Sequence, residues 1–180
     1  MSASLVFLLL TVVVAPAALW RYREDYRRHG RTTRLGVTLL LLAWILPHCV
    51  LGFSAPMPVV PHGTRESIGF ALMGAGLLLC LLAMRRCPRR TLVGKDTSHL
   101  VTTGLYAVSR NPQYAAYFLF PVGYAVAVHR LWGWVGTVLV ALVIHASARI
   151  EEEHLARAFG EEYRRYRRRT PRYLGSRRPA

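Results

Sequence analysis

The stretch Gly104-Leu-Tyr-Ala-Val-Ser-Arg-Asn-Pro-Gln-Tyr114 stands directly before an uncharged apolar run, and the triplet Glu151-Glu-Glu153 closes the next such run. A short turn around His129 and Arg130 separates the two runs, so together they predict an antiparallel hairpin of membrane helices. The polar start of the first helix then lies beside the acidic end of the second. Because polar and acidic groups cost free energy at the mouth of a membrane hairpin, this pairing indicates a functional site.

The composition indicates an integral membrane protein. Of the 180 residues, 53% are hydrophobic and 18% are charged, and the charges are gathered into blocks. A membrane-spanning helix needs about 20 apolar residues. Five charge-free windows of about that length predict five transmembrane helices, at residues 1–20, 35–53, 67–84, 111–129 and 131–148. We therefore expect an all-α membrane fold whose first three helices, in residues 1–84, form a structural half.

The segment after the last predicted crossing has the pattern of an amphipathic helix. Its apolar residues Leu155, Ala158, Phe159 and Tyr163 recur at intervals of three and four, with charges on the other face. Such a helix is expected to lie along the membrane surface with its apolar face down. The fold prediction therefore ends in an interfacial tail helix after the C-terminal hairpin.

Basic residues are divided unequally between the two sides of the membrane. With five crossings, 22 of the 24 Lys and Arg residues fall on one side. The positive-inside rule then places the N-terminus outside and the C-terminus in the cytoplasm, as expected in a cell inner or plasma membrane. The basic run at residues 163–169 is explained by anionic lipid headgroups, so we expect no nucleic-acid partner. The three cysteines have no metal-ligand spacing, and we expect no metal.

Two interpretations of the polar residues remain open on the sequence alone. Glu151 and Glu152 are either interfacial carboxylates that pair with nearby arginines, or ligands for a cation. Asn111 is either a simple helix cap before Pro112, or part of a helix start that offers backbone donors to a carboxylate. A zwitterionic ligand would contact both features.

These motifs, taken in order, resemble the isoprenylcysteine carboxyl methyltransferase and phospholipid methyltransferase superfamily. The resemblance rests on residues 100–106 (LVTTGLY), 109–114 (SRNPQY), 151–152 (EE), 159–163 (FGEEY) and 170–171 (TP). It implies a small membrane enzyme that binds S-adenosylmethionine in its C-terminal half, residues 85–180, with a lipophilic acceptor that enters from the bilayer. The agreement of several motifs around one hairpin is more specific than any of them alone.

The resemblance also implies particular site residues. The cofactor contacts carried over by position are His99, Leu100, Val101, Tyr106, Asn111, Pro112, Gln113, Tyr114 and Glu151. Glu151 would pair with the amino group of the methionine moiety. For an acceptor that must lose a proton, Glu152 or Tyr114 is the predicted catalytic base.

The chain departs from the family pattern at two positions. Asn111 stands where many relatives have His, and its amide keeps donor, acceptor and capping capacity. Ser147 stands where the isoprenylcysteine enzymes have an Arg that binds the substrate carboxylate, and Arg149 lies on a different helical face. Ser147 and Arg149 are the predicted substrate-binding positions. The change at Ser147 favours a lipophilic acceptor other than prenylated cysteine.

The leading hypothesis is methyl transfer from S-adenosylmethionine to an oxygen, nitrogen or sulfur of a lipophilic molecule or lipid at the cytoplasmic membrane face. One alternative is a protein-S-isoprenylcysteine-type carboxyl O-methyltransferase. Another is a non-enzymatic membrane scaffold whose basic segments bind anionic lipids. A transporter is disfavoured because no charge lies near the middle of a predicted span.

Overall fold

Helices account for most of the described chain. The computed structural model describes residues 2–53, 60–85 and 99–175. Its elements are α1 (Ala3–His29), α2 (Arg34–Gly52), α3 (Thr64–Arg85), a 3₁₀ turn (Gly104–Ala107), α4 (Pro112–Tyr117), α5 (Leu119–Val128) and α6 (Leu131–Arg169). These ranges contain no strand, so the predicted all-α class is confirmed for them. Residues 91–98, the start of the predicted loop before the hairpin, lie outside the described residues.

Four helices of the described ranges, α1, α2, α3 and α6, are long and apolar enough to cross a membrane. The predicted count of five is not confirmed, because the window at residues 111–129 is divided at Phe118 into α4 and α5. Pro121 explains a break here, since its nitrogen has no hydrogen to donate to the carbonyl of Tyr117 four residues earlier. Phe118 keeps helical backbone angles, φ −60° and ψ −23°, so the break is a local interruption.

Helix α1 continues beyond the predicted window at residues 1–20 and ends at His29. Its last turn is basic, which the negative end of the helix dipole favours. The helix stops because Gly30 adopts a φ of 64°, a left-handed conformation that glycine reaches without strain. Asp25, which is only 1% exposed, accepts a hydrogen bond of 2.8 Å from the backbone nitrogen of Thr33. This contact fixes the start of α2 against the end of α1.

The predicted tail helix is not confirmed as a separate interfacial element. Helical structure continues from Leu131 to Arg169, with non-helical angles only at Gly160 (φ 53°, ψ −119°), where the helix kinks. The kink also breaks the expected apolar face, because Tyr163 is 1% exposed whereas Ala158 before the kink is exposed.

The helices pack side by side, and α6 contacts helices from both halves of the chain. It contacts α1 and α2 on one side and α5 on the other, while α3 packs on α4 and α5. Small residues allow the last contact. A methyl group on Gly69 would lie 2.6 Å from the carbonyl oxygen of Gly123, and one on Gly76 would lie 2.9 Å from that of Ala116. Gly74, in the same helix, has no such neighbour within 4 Å.

Candidate functional site

The two ends of the helical hairpin meet. Asn111, at the N-cap position of α4, is 3% exposed and donates from Nδ2 to Glu152 Oε1 of α6 over 3.0 Å. Its side chain makes no cap hydrogen bond, so the simple capping interpretation is wrong: Glu152 takes the amide instead. One residue earlier in α6, Glu151 Oε1 accepts a hydrogen bond from the Tyr114 hydroxyl of α4. The two predicted clusters therefore form one constellation.

Glu152 is the centre of a buried ion-pair cluster, with an exposed fraction of 7%. Arg172 donates from Nε to Oε1 and from Nη2 to Oε2, each over 3.0 Å. Arg110 donates from Nη1 to Oε2 over 3.1 Å. The hydrogen bonds with Glu152 raise the pKa of the Arg172 guanidinium above its usual value. Charge-assisted fork contacts of this kind are among the strongest side-chain hydrogen bonds, so Glu152 fixes the surrounding backbone.

This cluster ties the segment after α6 to the start of α4. The backbone nitrogen of Arg110 donates to the carbonyl of Pro171 over 2.9 Å, and that of Asn111 to the carbonyl of Arg172 over 3.1 Å. The Tyr166 hydroxyl donates to the carbonyl of Tyr106 over 2.6 Å. The chain therefore folds back after the kink and closes over the polar mouth of the hairpin.

Glu151 differs from Glu152 in its partners, which are hydroxyl groups. The Tyr22 hydroxyl of α1 donates to Oε1 over 3.0 Å, the same oxygen that accepts from Tyr114. Tyr22 and Tyr26 place their hydroxyl oxygens 3.1 Å apart. Among the described residues no Arg, Lys or His forms a salt bridge with Glu151, whereas the adjacent Glu152 has two arginines. A half-buried carboxylate in this position is suited to a cationic ligand.

The face of α6 that carries Glu151 also has unsatisfied polar groups. Ser147, one turn earlier, is completely buried, and its Oγ has no hydrogen-bond partner within the described part of the chain. His154, three residues after Glu151, is 7% exposed and has an unpartnered Nε2 in the same ranges. Its ring stacks on Tyr26 with centroids 4.1 Å apart. Since buried polar atoms are rarely left without a partner, this face is consistent with a polar ligand.

The remaining predicted cofactor residues precede the hairpin or begin it. Tyr106 is buried and donates from its hydroxyl to Gln113 Oε1 over 3.2 Å. Pro112 is buried at the first position of α4. The loop before the 3₁₀ turn contains the other three, of which one is exposed and two are half-buried: His99, Leu100 and Val101.

The two predicted substrate-binding residues are not brought together. Ser147 is buried in the helix assembly, whereas Arg149 is exposed on another face of α6. Glu153 and Arg157, four residues apart, have the spacing of a helical ion pair, but Glu153 pairs with Arg23 of α1 over 2.8 Å instead. Arg157 donates to the backbone carbonyl of Glu153 over 3.3 Å.

Sequence reasoning missed the contribution of α1 and of the tail. Tyr22 and Tyr26 lie in the half that was expected to serve packing alone. Arg172 follows the basic run at residues 163–169, between Pro171 and Tyr173, and nothing in that sequence marks it as a partner of Glu152. A usable signal existed for the tyrosines, because they follow an apolar window at helical spacing and so share one face. None existed for Arg172.

Comparisons with known proteins identify the family of the chain. The sequence model of the phospholipid methyltransferase family matches residues 64–162, more than half of the chain. A protein-S-isoprenylcysteine O-methyltransferase of Schizosaccharomyces pombe is 33% identical over 108 residues, a match that covers 52% of this chain and 44% of the relative. The chain thus spans less than half the length of that relative. No solved structure matches the chain significantly. The resemblance predicted from the motifs is confirmed, and the chain belongs to the phospholipid methyltransferase family, which also places it among integral membrane proteins.

Proposed function

We propose that this chain is an S-adenosylmethionine-dependent methyltransferase that acts on a lipophilic acceptor at the cytoplasmic face of an inner or plasma membrane. The observation that carries the proposal is Glu151, a half-buried carboxylate oriented by two tyrosines and without a basic partner in the described ranges. The methionine part of the cofactor carries an ammonium group, and its sulfonium is also cationic. The donor set therefore fits this cofactor, whereas the described residues contain no cluster of metal ligands.

The residues of the site divide into ligands and positioning groups. When bound, S-adenosylmethionine supplies an electrophilic methyl group. Glu151 binds the ammonium group of the cofactor. Tyr22 and Tyr114 hold the Glu151 carboxylate in one orientation. Ser147 and His154 offer the unpartnered polar atoms on the same face of α6. Holding two reactants in place can by itself lower a methyl-transfer barrier by several kcal/mol, about 7–11 in favourable cases.

The two residues predicted as catalytic bases are better suited to positioning. Tyr114 already donates its hydroxyl proton to Glu151, so it orients that carboxylate. Glu152 is held by Arg110, Asn111 and Arg172, and both of its carboxylate oxygens already accept hydrogen bonds from these residues. Glu152 therefore fixes Asn111 at the mouth of the site.

The other cofactor contacts remain those that the resemblance implies. They precede α4 or form its first turn and would surround the nucleoside: His99, Leu100, Val101, Tyr106, Pro112 and Gln113. The buried Tyr106 and Pro112 give this part of the site fixed walls.

The acceptor is proposed as a lipophilic molecule with a reactive oxygen, nitrogen or sulfur. The name of the fission-yeast relative favours a second candidate, the carboxyl group of an isoprenylated cysteine. Ser147 argues against it, because a buried hydroxyl without a guanidinium neighbour cannot form the ion pair that a substrate carboxylate needs. Arg149, exposed on another face, does not replace it.

Incorporation of labelled methyl groups tests the proposed activity. Membranes from cells that express the chain are incubated with methyl-labelled S-adenosylmethionine, and label above that of membranes without the chain is counted in lipid and protein extracts. We expect label with the wild type and a loss of at least about tenfold with Glu151→Gln, which keeps the side-chain size but removes the charge. Glu161→Gln, an exposed carboxylate of the same helix, is the control and should retain the label. Absence of label with the wild type, or equal label with Glu151→Gln, would refute the proposal.

A further inference from the structure

A cavity of about 400 Å³ lies between the part of α6 before the Gly160 kink and the segment that folds back after it. Four arginines line it: Arg149 and Arg157 before the kink, and Arg167 and Arg172 after it. Ligand pockets in proteins have volumes of about 300–1,000 Å³, so the cavity is large enough for a small anionic group.

Three of these arginines have no acidic partner. Arg172 is occupied by Glu152, but Arg149, Arg157 and Arg167 form no salt bridge within the described part of the chain. Their neighbours in the same helix behave differently, because Arg164 and Arg168 both pair with Glu161 over 2.7 and 2.8 Å. Arg165 and Arg169 also form no salt bridge in the described ranges, but among the unpaired arginines of α6 only Arg149, Arg157 and Arg167 line one common cavity.

The acidic residues that line the cavity are already used. Glu152 accepts from two arginines and an asparagine, and Glu153 pairs with Arg23 over 2.8 Å. Neither carboxylate forms an ion pair with Arg149, Arg157 or Arg167 in the described ranges. Converging arginines favour a planar or tetrahedral oxyanion, with which each guanidinium can form two parallel hydrogen bonds.

The position of the cavity along α6 indicates which kind of molecule carries the anion. The 18 residues from Leu131 to Ala148 contain no Lys, Arg, Asp or Glu. At about 1.5 Å per residue they cover about 27 Å, close to the thickness of a bilayer core of about 30 Å. Arg149 is the first charged residue after this stretch, so the cavity begins at the level of the lipid phosphates.

We propose that this cavity binds the phosphate group of an anionic membrane lipid through Arg149, Arg157 and Arg167. Such a site would hold the folded-back tail at the membrane surface, and it requires neither the cofactor nor methyl transfer. Its chemistry is distinct from the diffuse attraction of a basic surface, because it depends on three particular residues of one cavity.

Native mass spectrometry of the full chain tests the proposal. The protein is released from detergent after incubation with phosphatidic acid or with diacylglycerol, which has the same chains but no phosphate. We expect retained phosphatidic acid, no retained diacylglycerol, and retention at least about tenfold lower in the triple variant R149Q/R157Q/R167Q. A second triple variant, R149K/R157K/R167K, keeps the charge but loses the fork and should retain an intermediate amount.

The control variant R164Q/R165Q/R168Q removes the same number of charges from the same helix, outside the cavity, and should retain the lipid like the wild type. Competition by inorganic phosphate distinguishes the source: a lipid site should release phosphatidic acid only at phosphate concentrations far above that of the lipid. Equal losses in the two glutamine variants would show diffuse electrostatics and overturn the proposal. So would binding of inorganic phosphate without retention of the lipid.

Discussion

Replacing Glu152 with alanine should release the folded-back tail from the mouth of the hairpin. The change removes the carboxylate that pairs with Arg110, whose side chain is 10% exposed, and it leaves the buried amide of Asn111 with only the carbonyl of Arg172 at 3.3 Å. Removing one partner of a buried ion pair costs about 3–5 kcal/mol. The side chain of Arg172 is 33% exposed, so water replaces part of its lost contact. We therefore expect the low end of that range, about 3 kcal/mol, as the loss of local stability.

Hydrogen exchange reports this loss at two particular amides. The backbone nitrogen of Arg110 donates to the carbonyl of residue 171 and that of Asn111 to the carbonyl of residue 172, so both lose protection when the tail undocks. Arg110 is the cleaner reporter, because the Asn111 amide also lies 3.2 Å from Ser109 Oγ. Since about 1.4 kcal/mol corresponds to a tenfold change in an equilibrium constant, about 3 kcal/mol predicts exchange about 100-fold faster. Mass spectrometry of deuterated peptides that cover residues 108–114, from purified protein in detergent, measures it.

Glu161→Ala is the matched control for this experiment. Glu161 also accepts from two arginines of α6, Arg164 and Arg168, but its side chain is 50% exposed. Surface ion pairs contribute about 0–1 kcal/mol, so this variant should leave exchange at residues 110 and 111 nearly unchanged. If Glu152→Ala accelerates exchange no more than Glu161→Ala, the cluster does not anchor the tail and the reasoning fails.

Three further variants test the α3–α5 contact, the role of Tyr22 and the α1–α2 connection. Gly69→Ala should lower the thermal unfolding temperature in detergent, because overpacking at the α3–α5 contact costs about 1–3 kcal/mol. Gly74→Ala should leave that temperature unchanged, and equal shifts in the two variants would contradict the close approach at Gly69. Tyr22→Phe should weaken cofactor binding about tenfold, measured by calorimetry, because Glu151 loses one of its two orienting hydroxyls; unchanged affinity would exclude α1 from the site. Asp25→Ala should destabilise the α1–α2 connection by about 1–3 kcal/mol, measured by thermal unfolding, since the buried carboxylate accepts from the backbone nitrogen of Thr33, the N-cap residue of α2.

The helical hairpin and its polar mouth could be predicted from the sequence, because local patterns decide them. A turn of two or three residues around His129 forces the neighbouring helices together, and this determined that Asn111 and Glu152 would meet. The broken helix at Phe118 was harder to predict. The charge-free window is continuous there, and only the missing donor of Pro121 indicates the interruption.

The partners of the two adjacent glutamates could not be predicted, because they come from distant parts of the chain. Glu151 is oriented by Tyr22, which precedes it by 129 residues, and Glu152 is held by Arg172, which is one of many arginines in the tail. Sequence spacing says which residues share a helix face but not which helices become neighbours. The kink at Gly160, which returns Arg172 to the hairpin, depends on a single backbone conformation.

Calorimetric titration with S-adenosylhomocysteine, the demethylated product, tests whether Glu151 binds the ammonium group of the cofactor. The ligand keeps the ammonium group that Glu151 is proposed to bind. We predict saturable binding to the purified wild-type chain and an affinity at least about tenfold lower in Glu151→Gln. The affinity of Glu153→Gln should be nearly unchanged, because the Glu153 carboxylate pairs with Arg23 instead. No binding to the wild type, or equal affinity in Glu151→Gln, would contradict it.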